Sequence, residues 1–157
     1  MSNDSPTFSK LNPSELKIGV VCAFFNQKLT DILLERVTNA LTQNGELKEL
    51  VLERVPGSNE VPSCIDLILQ KKVMDCMIGL GVVIKGGTSH HHLVAEAVGH
   101  SMQNISLQYH VPIINGIVVT EDYKSAEERV CGNIDRGFDF AQAALFMAQI
   151  KRKWTRT

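Results

Sequence analysis

Apolar and polar positions follow two alternating periods along most of this 157-residue chain. Ile18-Gly19-Val20-Val21-Cys22-Ala23-Phe24 is a short unbroken apolar run, the pattern of a strand buried on both faces. Leu29, Ile32, Leu33, Val37, Ala40 and Leu41 then recur at three- and four-residue spacing, which predicts a helix stopped at Asn44-Gly45. The unit repeats with a strand near 47–55, a break at Pro56-Gly57, a helix over about 60–71 with Pro62 in its first turn, and a strand near 75–84. Beyond Gly86-Gly87 a helix near 90–109 carries Val94, Ala97, Val98, Met102 and Ile105 on one face, and 112–119 forms a fourth strand. Helices near 124–131 and 138–153 complete the pattern.

Strands alternating with helices specify an α/β fold, because right-handed crossovers place helices on both faces of a parallel sheet. The expectation is a flavodoxin-like three-layer αβα sandwich around a mainly parallel four-stranded sheet. No repeat or linker divides the chain, so residues 1–157 read as a single domain. Residues 1–15 are polar, carry Pro6 and Pro13, and read as an extended N-terminal arm without a core of its own. The last helix is apolar on two sides, with Phe138, Ala141, Leu145 and Ala148 on one and Phe140, Ala144 and Met147 on another. Arm and helix together predict a homo-oligomer, the arm packing on a neighbouring subunit.

Composition narrows the partners. With 44% apolar residues the chain can build a sizeable core, and a net charge of −1 gives no electrostatic footprint for nucleic acid or an anionic membrane. The start, Met-Ser-Asn-Asp-Ser-Pro, has no basic or apolar leader, and no apolar run approaches a bilayer span, so the expected location is cytoplasmic. Cys22, Cys64, Cys76 and Cys131 form no C-x-x-C pair and read as reduced core thiols. The tail Lys151-Arg152-Lys153-Trp154-Thr155-Arg156 reads as a solvated helix end.

Parallel sheets bind ligands beyond the carboxyl ends of their strands, which draws attention to Phe25-Asn26, 56–60, 81–90 and 115–129. In Gly81-Val82-Val83-Ile84-Lys85-Gly86-Gly87-Thr88-Ser89-His90 a buried strand runs into glycines and hydroxyl residues at a helix start, either a phosphate cradle or an ordinary turn. His90, His91 and His92 suggest a metal, but successive helical residues point about 100° apart, so no metal site is assigned. Proton transfer by one of them is better motivated, the other two being solvated. Arg129 could clamp a phosphate or pair with an acid on its own helix, and Phe25 could stack on a flat ring or close the core.

The segments Ala23-Phe24-Phe25-Asn26, 55–62, 81–90, Val111-Pro112-Ile113-Ile114-Asn115-Gly116 and Glu128-Arg129 together resemble the lumazine synthases, in the same order and in register from about Ile18 to Lys151. The resemblance implies a transferase of riboflavin biosynthesis that condenses 5-amino-6-(D-ribitylamino)uracil with 3,4-dihydroxy-2-butanone 4-phosphate, without a metal or organic cofactor. It implies that Phe25 stacks on the pyrimidine, that Ser58, Asn59 and Glu60 hold the ribityl side, and that the backbone of Val82, Val83 and Ile84 reads the ring edge. Gly87 and Thr88 would contact the sugar phosphate, Arg129 its phosphate group, and His90 would shuttle protons. Asn115 stands where many members carry Phe, Asn59 replaces a common aromatic, and His92 replaces a common acid. Between Arg129 and Arg136 the chain is one residue shorter than the usual bacterial pattern, and Arg136 replaces an expected Lys as a further phosphate or ribityl contact. The family builds sites between adjacent subunits of a homopentamer; the lack of an insertion between the last two helices implies closure into an icosahedral shell. Riboflavin synthase is the implied protein partner. A flavin- or lumazine-binding carrier on the same scaffold would dispense with His90 and Arg129, which are both present; a purely structural shell would give no tight response to either substrate.

Overall fold

The computed structural model describes residues 4–9, 11–87 and 90–155. Its elements are β1 (Lys17–Ala23), α1 (Gln27–Thr42), β2 (Glu49–Val55), a 3-10 turn (Ser58–Glu60), α2 (Val61–Leu69), β3 (Cys76–Ile84), α3 (His90–Tyr109), β4 (Ile113–Thr120), α4 (Tyr123–Val130) and α5 (Arg136–Thr155). The expected alternation is present throughout. The 3-10 turn is an addition, and α5 starts two residues early because the Asp135 carboxylate accepts a hydrogen bond from the Phe138 N–H at 2.9 Å, capping the helix.

The four strands pair in the order β2-β1-β3-β4, every pair parallel. The inner strands β1 and β3 are apolar on both faces for the reason the sequence suggests, since two cores flank the sheet, while β2 at the edge carries Glu49, Glu53 and Arg54. Ile18, Val20, Cys22, Ile78, Leu80 and Val118 face α1, α4 and α5, while Val21, Ala23 and Met77 face α2 and α3. Gly137 lets α5 approach α1, since a Cβ there would stand 2.6 Å from Arg36 Cβ. On α3, Val98 and Met102 are buried as expected and Ala97 is exposed.

Chain direction supplies the feature that matters for function. From β1 the chain moves outward to β2, then crosses back past β1 to β3, so the strand order reverses between β1 and β3. Helices leave on opposite faces at such a switch point and a crevice opens between the strand ends.

In the single chain the arm lies on α5. Phe8 stacks on Phe146 with ring centroids 4.6 Å apart, and the Ser5 hydroxyl donates to Asp139 at 2.9 Å. Phe138 remains exposed, as does Leu52 on the β2 edge. The basic tail is less solvated than its composition suggests: Arg152 Nε donates to Asp75 at 3.0 Å, and Asp75 also accepts from the Lys17 N–H at 2.7 Å, tying the end of α5 to the start of the sheet. No helix among the described residues is long and apolar enough to cross a membrane.

All four cysteines are free. Burial pushes the Cys22 thiol up to about 11 and raises Cys76 further in the same direction. The unfolded chain therefore ionises Cys22 first, so its contribution is complete below the ordinary thiol range and declines as pH rises toward about 11. Cys22→Ala is expected to flatten that part of the alkaline decline, measured as urea midpoint against pH. Ile78→Ala, at a fully buried position in the sheet centre, is expected to cost about 2–5 kcal/mol, read as a lower urea midpoint at unchanged slope.

Candidate active site

At the carboxyl edge of the sheet, the chain beyond β1 stays with β2 and abandons β3. Phe24 N–H donates to Val55 O at 2.8 Å and Phe25 N–H to Pro56 O at 3.1 Å, whereas the pairing of β1 with β3 ends at Cys22 and Leu80. β3 runs on to Ile84 with β4 alone on its other side. Beyond Leu80 the side of β3 away from β4 thus presents the backbone groups of alternate residues toward a gap.

A cavity of about 280 Å³ fills this gap, lined by Phe25, Asn26, Gly57, Ser58, Asn59, Glu60, Val82, Val83, Ile84 and Val94. Seven of the site residues named from the sequence meet here. Phe25 is 73% exposed, which removes the reading that it closes the core. Its turn is fastened from behind: Arg54 lies 4.3 Å over the Phe24 ring, pairs with Asp31 at 2.7 Å and donates to Ala23 O at 3.1 Å. Asn26 takes the left-handed conformation (φ 59°, ψ 48°), which an Asn tolerates well. This turn aims its amide across the crevice, where Nδ2 donates to Val82 O at 2.8 Å.

The opposite wall is seated by a close approach. A Cβ on Gly81 would stand 2.3 Å from Ser58 Oγ, so only glycine on β3 admits the 3-10 turn at this depth. Glu60 Oε2 accepts from the Gly57 N–H at 2.9 Å, so this carboxylate braces its own turn while lining the cavity.

Arg129 and Arg136 lie elsewhere. They line a separate cavity of about 230 Å³ with Ile117, Val118, Val119 and Phe140, which shares no wall residue with the first. Among the described residues Arg129 makes no hydrogen bond or ion pair, so the intrahelical pair considered from the sequence is not formed. Arg136 is buried; its Nη1 pairs with Asp139 at 3.3 Å while Nη2 has no partner. Two guanidiniums with unused donors thus stand against an apolar wall, an arrangement whose chemistry suits an anion.

Of the remaining predicted residues, His90, Gly87 and Asn115 line neither cavity. His90 is exposed at the first residue of α3, Gly87 is exposed with open space where a Cβ would be, and Thr88 lies outside the described residues. Asn115 sits exposed on β4, where Oδ1 accepts from the Ile117 N–H at 3.1 Å. Beside His90, His91 is buried rather than solvated, and both His91 and His92 reach Glu121, at 3.4 and 3.5 Å. Adjacent helical histidines therefore do converge, contrary to the angular argument, because an imidazole is long enough to swing to a carboxylate supplied by the turn after β4.

Glu121 also pairs with Lys85 at 2.9 Å, so one carboxylate holds both ends of the loop 85–91. The hydrogen bond from Lys85, followed by that from His91, keeps Glu121 below the ordinary carboxylate range, and Glu121 in turn raises Lys85. Sequence reasoning set Asn26 and Glu121 in ligand-edge segments and Phe140 on the last helix but gave none of them a role in a site. For Asn26 a signal existed, an Asn placed where a strand must turn sharply; Glu121 and Phe140 are joined to their sites only by tertiary packing.

Comparison with known proteins adds the following. A family model described as 6,7-dimethyl-8-ribityllumazine synthase matches residues 15–152. Proteins of that name from Pyrococcus furiosus, Thermococcus gammatolerans and a Polaromonas species are similar to this chain. The first is 38% identical over 138 residues, 88% of this chain and 87% of the relative. The second is 36% identical over 138 residues (88% and 89%), and the third 36% identical over 142 residues (90% of each).

Because the carboxylate of Glu121 is depressed, its hold on loop 85–91 is complete above the ordinary carboxylate range and is lost as pH falls through the lowered value. Glu121→Gln is expected to speed hydrogen exchange of the Gly86 and Gly87 amides at neutral pH. Exchange in the unsubstituted protein should approach that of the variant on acidification.

Proposed function

This chain belongs to the 6,7-dimethyl-8-ribityllumazine synthase family, and from that membership we infer how its residues divide the reaction. The enzyme condenses 5-amino-6-(D-ribitylamino)uracil with 3,4-dihydroxy-2-butanone 4-phosphate to 6,7-dimethyl-8-ribityllumazine, releasing phosphate and water, in riboflavin biosynthesis. The arylamine attacks the ketone and loses water to give an imine; phosphate is eliminated; the ribitylamino nitrogen closes the ring with loss of a second water. These steps require two substrates held in register, proton transfer, and stabilisation of a departing phosphate.

The crevice takes the pyrimidine. Phe25 stacks on the ring, the backbone of Val82, Val83 and Ile84 reads its edge, and Ser58, Asn59 and Glu60 hold the ribityl hydroxyls. Asn26 keeps the Val82 carbonyl in place. The cation cavity takes the phosphate through Arg129 and the free Nη2 of Arg136, with Gly87 and Thr88 against the same substrate. His90 relays protons from the start of α3, where it is solvated and free to turn.

One observation carries this reading: the heterocycle-shaped crevice and the cation cavity are both present in the chain but share no wall residue. In a ring of copies, the crevice of one subunit faces the cation cavity and Asn115 of the next, and a homopentamer is the assembly we assign. Exposed Phe138 and the β2 edge supply apolar surface for such contacts. The arm extends to the neighbouring subunit, pentamers close into an icosahedral shell in the cytoplasm, and riboflavin synthase is the candidate partner that consumes the product.

Absorbance of the lumazine product, recorded above the spontaneous condensation, tests the assignment. Arg129→Ala is expected to lower kcat/KM by about a hundredfold, the loss of a charged hydrogen-bond donor to the reacting group. Mixing His90→Ala with Arg129→Ala chains after joint unfolding should restore about a quarter of the interfaces in a random ring. Recovery of no activity, with rings of normal size by light scattering, would place both residues in one subunit's site.

A further inference from the structure

His91, His92 and Glu121 form a compact group of ligating atoms that the crevice and the cation cavity leave unused, all within 4.8 Å of one another. We propose that they form a binding site for a borderline divalent cation of the zinc, cobalt or nickel class, with water as the fourth ligand. The separations admit an ion in place of the long hydrogen bond that joins His91 to Glu121. His91 Nε2 and His92 Nε2 lie 3.4 and 3.5 Å from Glu121 Oε1, beyond the usual N–H···O range of about 2.7–3.2 Å. A tetrahedral centre with bonds of about 2.0–2.2 Å has ligand-to-ligand edges of about 3.3–3.6 Å, which both separations match.

Each ligand is prepared differently. The His91 side chain is only 4% exposed, so its ring is fixed before any ion arrives, and its Nδ1 is buried without a partner and carries the proton when Nε2 ligates. His92 tilts against it with centroids 3.9 Å apart, which brings the second nitrogen to the same side. Glu121 is held by Lys85 through Oε2, leaving Oε1 to bind in monodentate fashion. Because His92 and Glu121 are 67% and 58% exposed at their side chains, the ion has a path in and the fourth position opens to solvent. Two imidazoles and one carboxylate suit borderline cations; magnesium and calcium prefer all-oxygen shells. Bound there, a cation would tie the start of α3 to the turn after β4. The site does not depend on the assignment of the reaction.

The test is cobalt titration of the full-length, untagged protein in a non-coordinating buffer, read by visible absorption. The intense bands of tetrahedral cobalt should appear with one ion per chain and be displaced by zinc. His92→Ala and Glu121→Gln should each weaken the affinity by at least about tenfold, while His100→Ala, an exposed histidine farther along α3, should leave it unchanged. Circular dichroism of each variant separates lost ligation from lost folding, and the exposed His92 is the position least able to disturb the core. Only the weak bands of six-coordinate cobalt, or tetrahedral bands that persist in both ligand variants, would overturn the proposal.

Discussion

The parting of β1 from β3 after Leu80 is the constraint on which the functional edge of this protein depends. Within a parallel sheet every backbone group on an inner strand is engaged, and a central strand offers a ligand nothing. Here Phe24 and Phe25 keep hydrogen bonding to the end of β2, and β3 continues alone on that side for four residues. Leaving those groups unpaired would be costly in a closed interior, and the crevice keeps them accessible. The left-handed Asn26 answers one carbonyl and, in the same turn, sets the exposed Phe25 at the mouth. Glycine at 81 completes the arrangement, since any side chain there would push the 58–60 turn away from the strand.

Most of the architecture was legible because each element states its own period. The buried strands are continuous apolar runs, the helices are striped, and Pro56-Gly57 and Asn44-Gly45 punctuate them, so boundaries fall within about two residues, including α5, which Asp135 caps early. The crevice residues were legible for a related reason: a parallel sheet fixes which loops share an edge, and the family motifs lie in those loops. What could not be read is which side chains meet across that edge. The separation of Arg129 and Arg136 from Phe25 depends on the side of β4 to which α4 and α5 pack. The burial of His91 depends on a carboxylate thirty residues away. Local spacing carries neither fact, and the angular rule for adjacent helical residues failed because it constrains Cβ directions and not the reach of an imidazole.

The cation cavity also explains an apparent extravagance. A nearly buried guanidinium with an unanswered Nη2 is unfavourable in an isolated chain, because one acid, Asp139, satisfies only part of its donor fork. Arg129, partly exposed and unpaired on the same wall, adds like charge that raises the cost further. Such an arrangement is stabilised by any anion that enters, which is the physical ground for the proposed phosphate role. An acid placed beside Arg129 would stabilise the empty fold and compete with the ligand. The chain has acids nearby in sequence, Glu127 and Glu128, yet Glu128 is turned to the backbone N–H of Asn133 and does not reach Arg129. Glu128 thus serves the end of α4, and Arg129 and the Arg136 Nη2 are left without an acid among the described residues.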